Sequence, residues 1–249
     1  MNVLAFFAHP DDETMFLGGT LAHLARAGAQ VYYVSATRGE GGELGEPPLC
    51  SREDLGSVRE REMRCAVRAL GGTGVDFLDY VDPEIGPENE LYPFTTDLEE
   101  LTDQLLQRLV DLQPEVVLTH GPRGEYGHPA HILAHRGMVG AVRRHPSPRP
   151  ELYAVFRERD QGDLEPGETP LQPDFILDVS STLEEKIQAA LCHRTQHALF
   201  RRNASRRAGR EVSVAEMIRD REGLVRIAPE GGEEGGSRLF RLVDEIALD

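Results

Sequence analysis

The 249-residue chain carries 43 acidic side chains against 27 lysines and arginines, and its formal net charge is −16. A surface this acidic repels phosphate backbones and anionic lipids, which excludes nucleic acid and a membrane surface as expected partners. The 39% of hydrophobic residues can form one large core, and the sequence shows neither a charged and apolar leader nor an apolar run of membrane-span length, so we expect a single cytoplasmic domain over residues 1–249.

Short apolar runs alternate with segments of helical spacing in the first half of the chain. The predicted strands cover residues 2–7, 29–35, 75–79 and 115–119, and the predicted helices cover residues 14–27, 57–70 and 96–112. This alternation is typical of βαβ units, so we expect an α/β, Rossmann-like fold with a mostly parallel sheet flanked by helices.

The second half of the chain has a less regular pattern. Pro/Gly/acid-rich segments at 160–173 and 229–237 predict loops, and an apolar run lies at 152–156. Thr182 with Glu185, and Ser213 with Glu216, have the spacing of capping boxes and predict two helix starts.

The cysteines limit the kinds of metal site that the chain can build. Cys50, Cys65 and Cys192 are odd in number and far apart, a pattern that predicts neither a disulfide framework nor a CxxC metal site. Any metal would therefore use histidine and carboxylate ligands.

Polar loops follow three of the predicted strands. They cover residues 9–13, 37–43 and 120–131. Ligand sites of parallel α/β sheets form beyond the carboxyl ends of the strands, so we expect these loops to converge on one edge of the sheet. The glycine-rich loop at 38–46 lacks the phosphate-binding patterns, and the chain lacks the GxSxG pattern of serine hydrolases.

Two of these loops concentrate histidines and carboxylates. The first contains His9, Asp11 and Asp12, of which one Asp could cap a helix. The second contains His128, His131 and His135, which share a helix face if the helix begins near Pro129. Taken alone, each cluster is explained equally well by helix capping, by a polar surface or by metal binding. Together they match catalytic zinc, which takes three protein ligands and keeps one open position.

Five motifs occur in the order found in a known family. They are AHPDDE (8–13), TRGEGGE (37–43), VREREMRCAVRALGG (58–72), YGHPAH (126–131) and DVSSTLEEKIQAALCHRTQ (178–196). The chain resembles the LmbE-like, or PIG-L, family of zinc-dependent N-acetylglucosaminyl deacetylases over roughly residues 2–200. The resemblance also implies a Rossmann-like fold with its site at the carboxyl edge of the sheet.

The resemblance assigns roles to six residues near the metal. It implies a metal held by His9, Asp12 and His131, a general base at Asp11, and assistance at the developing charge by His128 and Tyr126. Oxygen and nitrogen ligands of this kind would also accept iron, cobalt or nickel.

Further residues are candidates for substrate contacts. The resemblance places Arg59 at the substrate mouth and His193 at the edge of the site, while Arg38 and Arg123 join Arg59 as cations that could hold an anionic aglycone. Glu13 and Glu40 are expected to order the loops.

One position departs from the family pattern. The family usually has HPDH, whereas this chain has Ala130 between His128 and His131. The missing carboxylate would normally orient a neighbouring histidine and raise its basicity, so we expect no strongly raised pKa at His128.

The resemblance predicts a hydrolase that removes the N-acetyl group of a small-molecule N-acetylglucosamine conjugate. A glucosaminyl-malate or glucosaminyl-inositol precursor of a low-molecular-weight thiol fits a chain without a leader. Two alternatives stay open, an amidase of thiol S-conjugates and a noncatalytic metal- or sugar-binding protein. Homo-oligomer formation is also left open by the sequence.

Overall fold

A computed structural model describes residues 1–157, 170–228 and 237–248 of the chain. Within these residues the strands are β1 Asn2–Phe7, β2 Gln30–Thr37, β3 Gly74–Tyr80, β4 Val116–Thr119, β5 Glu151–Phe156, β6 Phe175–Asp178, β7 Arg221–Ala228 and β8 Ala247–Leu248. They form one eight-stranded sheet in the order β3-β2-β1-β4-β5-β7-β6-β8.

The sheet is parallel in its first half and antiparallel in its second. Strand β1 pairs in parallel with β2 and β4, β2 with β3, and β4 with β5. Strand β7 runs antiparallel to β5 and β6, and β8 runs antiparallel to β6. The predicted mostly parallel α/β fold is therefore confirmed, and the four predicted strands begin and end within two residues of their predicted bounds.

Helices cover both faces of the sheet. The described helices are α1 Asp12–Arg26, α2 Leu55–Ala69, α3 Leu98–Leu112, α4 Gly124–Gly127, α5 Pro129–Arg144, α6 Leu183–Cys192, α7 His197–Ala208, α8 Val214–Met217 and α9 Phe240–Val243. No helix among the described residues has the length and apolar character needed to cross a membrane. Most of the loops at 160–173 and 229–237 lies outside the described residues.

Strand β1 is buried on both faces, which is what its position at the centre of a parallel sheet requires. Its alternate residues Val3 and Phe7 belong to an apolar cluster shared with α1, α2 and α6. Leu4 and Phe6 point the other way into a second cluster shared with α3 and α5. The continuous apolar run at the start of the chain thus fixes the centre of the sheet and places the loop after it at the carboxyl edge.

Only one of the two predicted capping boxes is present. Ser213 and Glu216 exchange both capping hydrogen bonds at the start of α8. The helix start predicted at Thr182 is confirmed, because α6 begins at Leu183, but the capping hydrogen bond is absent and the Thr182 hydroxyl donates to the carbonyl oxygen of Gly19 at 2.8 Å. The Thr182 hydroxyl thus bonds a carbonyl group of α1 instead of a backbone N–H of its own helix.

The cysteine pattern, which predicts no disulfide framework, did not reveal the one disulfide bond that the described residues contain. Cys65 on α2 and Cys192 on α6 are bonded, with their Cα atoms 5.7 Å apart. Their separation of 127 residues hides this pairing in the sequence. Helix α2 packs directly against α6, and this contact brings the two thiols together. Cys50 is free.

Candidate active site

The turn between β1 and α1 contains Asp11 in a strained conformation, and Asp12 and Glu13 begin α1. Asp11 adopts φ 108°, in the left-handed region that is unfavourable for a residue with a side chain. Its backbone N–H donates to Glu13 Oε2 at 2.9 Å, so Glu13 orders this loop, as expected. The Asp11 side chain makes no capping hydrogen bond to α1. Helix capping therefore does not explain why an aspartate occupies this position.

The Asp12 carboxylate lies between two histidines from different loops. Oδ2 is 3.2 Å from Nδ1 of His9, and Oδ1 is 3.4 Å from Nε2 of His131. Each contact joins one imidazole nitrogen to a different oxygen of the same carboxylate. The side chains predicted to be ligands are thus brought together at the carboxyl edge of the sheet.

Two buried imidazole nitrogens at this point lack a hydrogen bond. Within the described part of the chain, Nε2 of His131 has no hydrogen-bond partner, and Nε2 of His9 makes no hydrogen bond of good geometry although Asp82 Oδ1 lies 3.2 Å away. Buried polar atoms normally have a partner. The residues present therefore fit a metal ion, for which Nε2 of His131 is an available ligand atom.

Neighbouring histidines offer other ligand combinations. Ligand atoms lie within 4.8 Å of one another in the group His9, His128 and His131 and in the group Asp12, His120 and His131. The His120 ring is already engaged, because Nε2 accepts from Ala8 N at 2.9 Å and Nδ1 is 2.8 Å from Glu125 Oε2. His131 belongs to both groups. The predicted ligand set adds His9 from the first group and Asp12 from the second.

Glu125 orients the histidines from behind. Its Oε2 accepts from Nδ1 of His131 at 2.6 Å and from Nδ1 of His120 at 2.8 Å. Burial opposes the charged form of Glu125, but the charges and hydrogen bonds of these two histidines outweigh it and lower its pKa to about 2. A carboxylate in this position fixes the ring so that Nε2 of His131 faces the site. The sequence analysis did not assign this role.

His128 and Tyr126 lie over His131. The rings of His128 and His131 stack, with centroids 4.5 Å apart, and the Tyr126 ring meets His131 edge-on at 5.3 Å. Burial, followed by the nearby charges of His9 and His131, lowers the pKa of His128 to about 3, which agrees with the expectation of no raised value. Burial and the charge of Asp12 raise the pKa of Tyr126, although 57% of the side chain is exposed.

The departure at Ala130 has a structural counterpart. Its methyl group is fully buried in the second apolar cluster, and its backbone N–H donates to Nδ1 of His128 at 3.2 Å. The described residues offer no carboxylate hydrogen bond to His128. Glu125 instead serves His131 and His120.

Arg59 is buried beneath Asp11. It is 3% exposed, and it donates to the carbonyl oxygens of Pro10 and Gly39 and to Oδ2 of Asp11 at 3.1 Å. A Cβ atom at Gly39, where φ is 70°, would lie 2.1 Å from the guanidinium, so this close approach requires glycine. Burial raises the pKa of Asp11 to about 7, although the charge of Arg59 opposes the shift.

Other predicted substrate residues have protein partners. Arg38 pairs with Glu60 at 2.7 Å and with Asp79 at 2.5 Å. His193 is fully buried behind the loop after β1, with Nε2 2.9 Å from Glu13 Oε1. Arg123 is partly buried at the start of α4. The last histidine of the predicted stripe, His135, hydrogen-bonds the His120 carbonyl, so only part of the stripe faces the site.

Asp82 is a site residue that the sequence analysis missed. Its Oδ1 lies 3.2 Å from Nε2 of His9, and its backbone N–H donates to Glu40 Oε2 at 3.0 Å. Burial lowers the pKa of His9, but the charge of Asp82 and a hydrogen bond to Asp12 outweigh this and raise it to about 10. The sequence did contain a signal for Asp82. This residue follows β3, a parallel strand whose carboxyl end lies at the same edge of the sheet as the ends of β1 and β4.

Comparison with known proteins places these residues in a wider context. The sequence profile of the PIG-L family, described as GlcNAc-PI de-N-acetylase, matches residues 4–142. A relative from Actinosynnema mirum, named 1D-myo-inositol 2-acetamido-2-deoxy-alpha-D-glucopyranoside deacetylase, is 34% identical over 235 residues. This alignment covers 82% of this chain and 83% of the relative.

Two solved structures share the fold. N,N'-diacetylchitobiose deacetylase from Pyrococcus horikoshii has a TM-score of 0.65 at 22% identity, covering 91% of this chain and 83% of that one. GalB, the 4-carboxy-2-hydroxymuconate hydratase of Pseudomonas putida KT2440, has a TM-score of 0.64 at 23% identity, covering 94% and 99%. A deacetylase and a hydratase therefore share this architecture, and the fold alone does not select the reaction.

Proposed function

The chain belongs to the PIG-L family, and on that premise we propose that it is a metal-dependent hydrolase that removes the N-acetyl group from an N-acetylglucosamine conjugate. One observation carries the proposal. The Asp12 carboxylate lies between His9 and His131, at 3.2 and 3.4 Å, directly beside the strained Asp11. This arrangement favours an enzyme over a binding module, because Asp11 is a carboxylate that neither caps the helix nor belongs to the proposed ligand set.

The metal would be held by His9, Asp12 and His131. Three nitrogen and oxygen ligands with one open position suit catalytic zinc, and iron, cobalt and nickel accept the same donors. When bound, such an ion polarises the amide carbonyl and increases the acidity of water at the site. Glu125 holds the His131 ring in the tautomer that leaves Nε2 free for this purpose.

Asp11 moves the proton. Arg59 donates to one of its carboxylate oxygens at 3.1 Å and fixes the side chain from below. Asp11 accepts a proton from the water that attacks the acetyl carbonyl carbon, and it returns this proton to the nitrogen when the C–N bond breaks. The products are acetate and the free 2-amino sugar.

His128 and Tyr126 stabilise the negative charge that develops on the carbonyl oxygen. Since Nδ1 of His128 accepts a hydrogen bond from Ala130 N, the ring carries its proton on Nε2 and can donate it as a hydrogen bond. The Tyr126 hydroxyl is a second donor. Loss of one such donor commonly costs about 100- to 1,000-fold in turnover.

The aglycone we propose is inositol. The relative from Actinosynnema mirum is named for an inositol glycoside of N-acetylglucosamine. A neutral aglycone also agrees with the engagement of Arg38 and Arg59 in protein ion pairs, because neither cation is then needed to neutralise the substrate. A glucosaminyl-malate would need such a cation.

Release of the free amine from each amide, together with acetate release from the N-acetyl sugars, tests the proposal. The substrates are the N-acetylglucosaminyl inositol, N-acetylglucosamine, N,N'-diacetylchitobiose and a thiol S-conjugate amide, each with the zinc-loaded and the chelator-treated protein. We expect the highest kcat/KM for the inositol conjugate, loss of activity with chelator and recovery with zinc. Cleavage of the S-conjugate alone would assign the amidase function instead, and no turnover with a loaded site would favour a binding protein.

A further inference from the structure

A cavity lies beside Phe16, a residue that also contacts the histidines of the candidate active site. Its volume is about 940 Å³, which is within the range of small-molecule sites. Apolar side chains from five segments contribute to its lining, namely Phe16, Phe156, Leu171, Ile176 and Ile218. Such a lining favours the apolar body of a ligand.

Phe16 lines this cavity and also contacts two histidines of the candidate active site. Its ring meets His120 and His131 edge-on, with centroids 5.9 Å apart in each case. The guanidinium of Arg157, another lining residue, lies over the Phe16 ring at 5.4 Å from the centroid. Neither His131 nor another proposed metal ligand lines the cavity. A ligand bound there would not occupy the metal position.

The described residues of the lining carry more cations than carboxylates. Arginines at 157, 207, 219 and 221 contribute to it, whereas the whole chain has a net charge of −16. Among the described lining residues the one carboxylate is Glu222, and Lys186 neutralises it at 2.7 Å. Residues 194–226 as a whole contain nine arginines and four acidic residues. This local excess of cations indicates an anionic ligand.

We propose that this cavity binds an organic anion with an apolar body, at a site separate from the metal centre. Most of its lining comes from residues after position 142, where the match to the family profile ends. The cavity is therefore built mainly from the part of the chain that the profile does not cover. The proposal does not depend on the deacetylase activity.

Titration calorimetry with three eight-carbon amphiphiles below their micelle concentrations tests the proposal. Octyl sulfate should bind, and 1-octanol and octyltrimethylammonium should bind at least about tenfold more weakly because they lack the negative charge. Equal affinity for all three, or no binding of octyl sulfate, would overturn the proposal.

Substitutions locate the binding. Arg207→Gln and Arg219→Gln should each weaken octyl sulfate binding about fivefold, the effect of one exposed ion pair. Arg68→Gln, an exposed arginine on α2 outside the cavity, is the matched control. His9→Ala should bind octyl sulfate like the wild type. The proposal fails if the cavity variants match the control, or if His9→Ala abolishes binding, which would place the anion at the metal centre.

Discussion

At the scale of single residues, Glu125 has the largest indirect influence on the candidate metal site. One carboxylate oxygen accepts hydrogen bonds from both His131 and His120, and φ of Glu125 is 57°. The neighbouring sequence hides this role, because Glu125 and His131 are six positions apart and lie in different helices. A strained backbone turn brings the carboxylate behind the ring.

We expect Glu125→Gln to lower zinc affinity about 10- to 100-fold, the usual effect of removing a carboxylate that orients a metal-binding histidine. Competition with a chelator of known affinity measures this change. Glu100→Gln, at an exposed position on α3, should leave the affinity unchanged. An unaltered zinc affinity in a folded Glu125→Gln variant would show that Glu125 does not support the ligand set.

The residue types of the site were partly predictable. His9, Asp11 and Asp12 follow a strand that the sequence identifies, and His131 follows another, so the shared edge of a parallel sheet brings them together. Asp82 and His120 were missed because their roles depend on which strands are neighbours in the sheet. Local sequence carries little information on that order.

At the scale of the elements, helix α1 is interrupted and a distant strand compensates for the interruption. Leu17 has non-helical dihedral angles, and Glu222 on β7 accepts from the backbone N–H groups of Gly19 and Thr20 at 2.8 and 2.7 Å. Lys186 on α6 pairs with the same buried carboxylate. Glu222 therefore connects α1, α6 and β7.

Removing this carboxylate should destabilise the protein strongly. Glu222→Ala leaves the Lys186 ammonium buried without its counterion, and we expect the free energy of unfolding to fall by about 3–5 kcal/mol. Urea denaturation followed by circular dichroism measures the change. Glu211→Ala, at an exposed position, should change it little. A loss at Glu222 no larger than at Glu211 would contradict this account of the kink.

The Cys65–Cys192 bond joins α2 to α6 next to a polar contact between α2 and the segment after α6. Glu62 on α2 accepts from Thr195 N at 2.9 Å and from its hydroxyl at 2.7 Å. We expect Cys65→Ser to lower the free energy of unfolding under oxidising conditions by about 2–4 kcal/mol. Denaturation with and without reductant measures the difference. Cys50→Ser is the control, and equal stability of the two variants would exclude the bond.

Elements with a strong hydrophobic periodicity were predicted well, whereas contacts between elements distant in the sequence were not. The alternation of apolar runs and helical spacing gave β1 to β4 and α1 to α3. The antiparallel pairing of β6, β7 and β8 was not predicted, because these short strands depend on a sheet edge that exists only after β5 has joined the sheet. The Thr182 hydroxyl likewise bonds α1 rather than its own helix.

At the scale of the whole molecule, the architecture does not determine the activity, and the proposed activity rests on residues at the carboxyl edge of the sheet. A deacetylase and a hydratase both have this fold. What supports deacetylation here is the combination of a ligand set and an adjacent non-ligand carboxylate. The central claim is that metal binding and proton transfer belong to different carboxylates, Asp12 and Asp11.

Turnover and metal content of Asp11→Asn, measured on the same preparation, test this claim most directly. We predict wild-type zinc content, one ion per chain, with turnover of the N-acetylglucosaminyl inositol at least about 100-fold lower, since the proton acceptor is lost while the proposed ligands are retained. Asp103→Asn, an exposed aspartate paired with Arg144, should match the wild type, and His128→Ala should retain more turnover than Asp11→Asn. Wild-type turnover in fully loaded Asp11→Asn, or loss of its zinc, would contradict the claim.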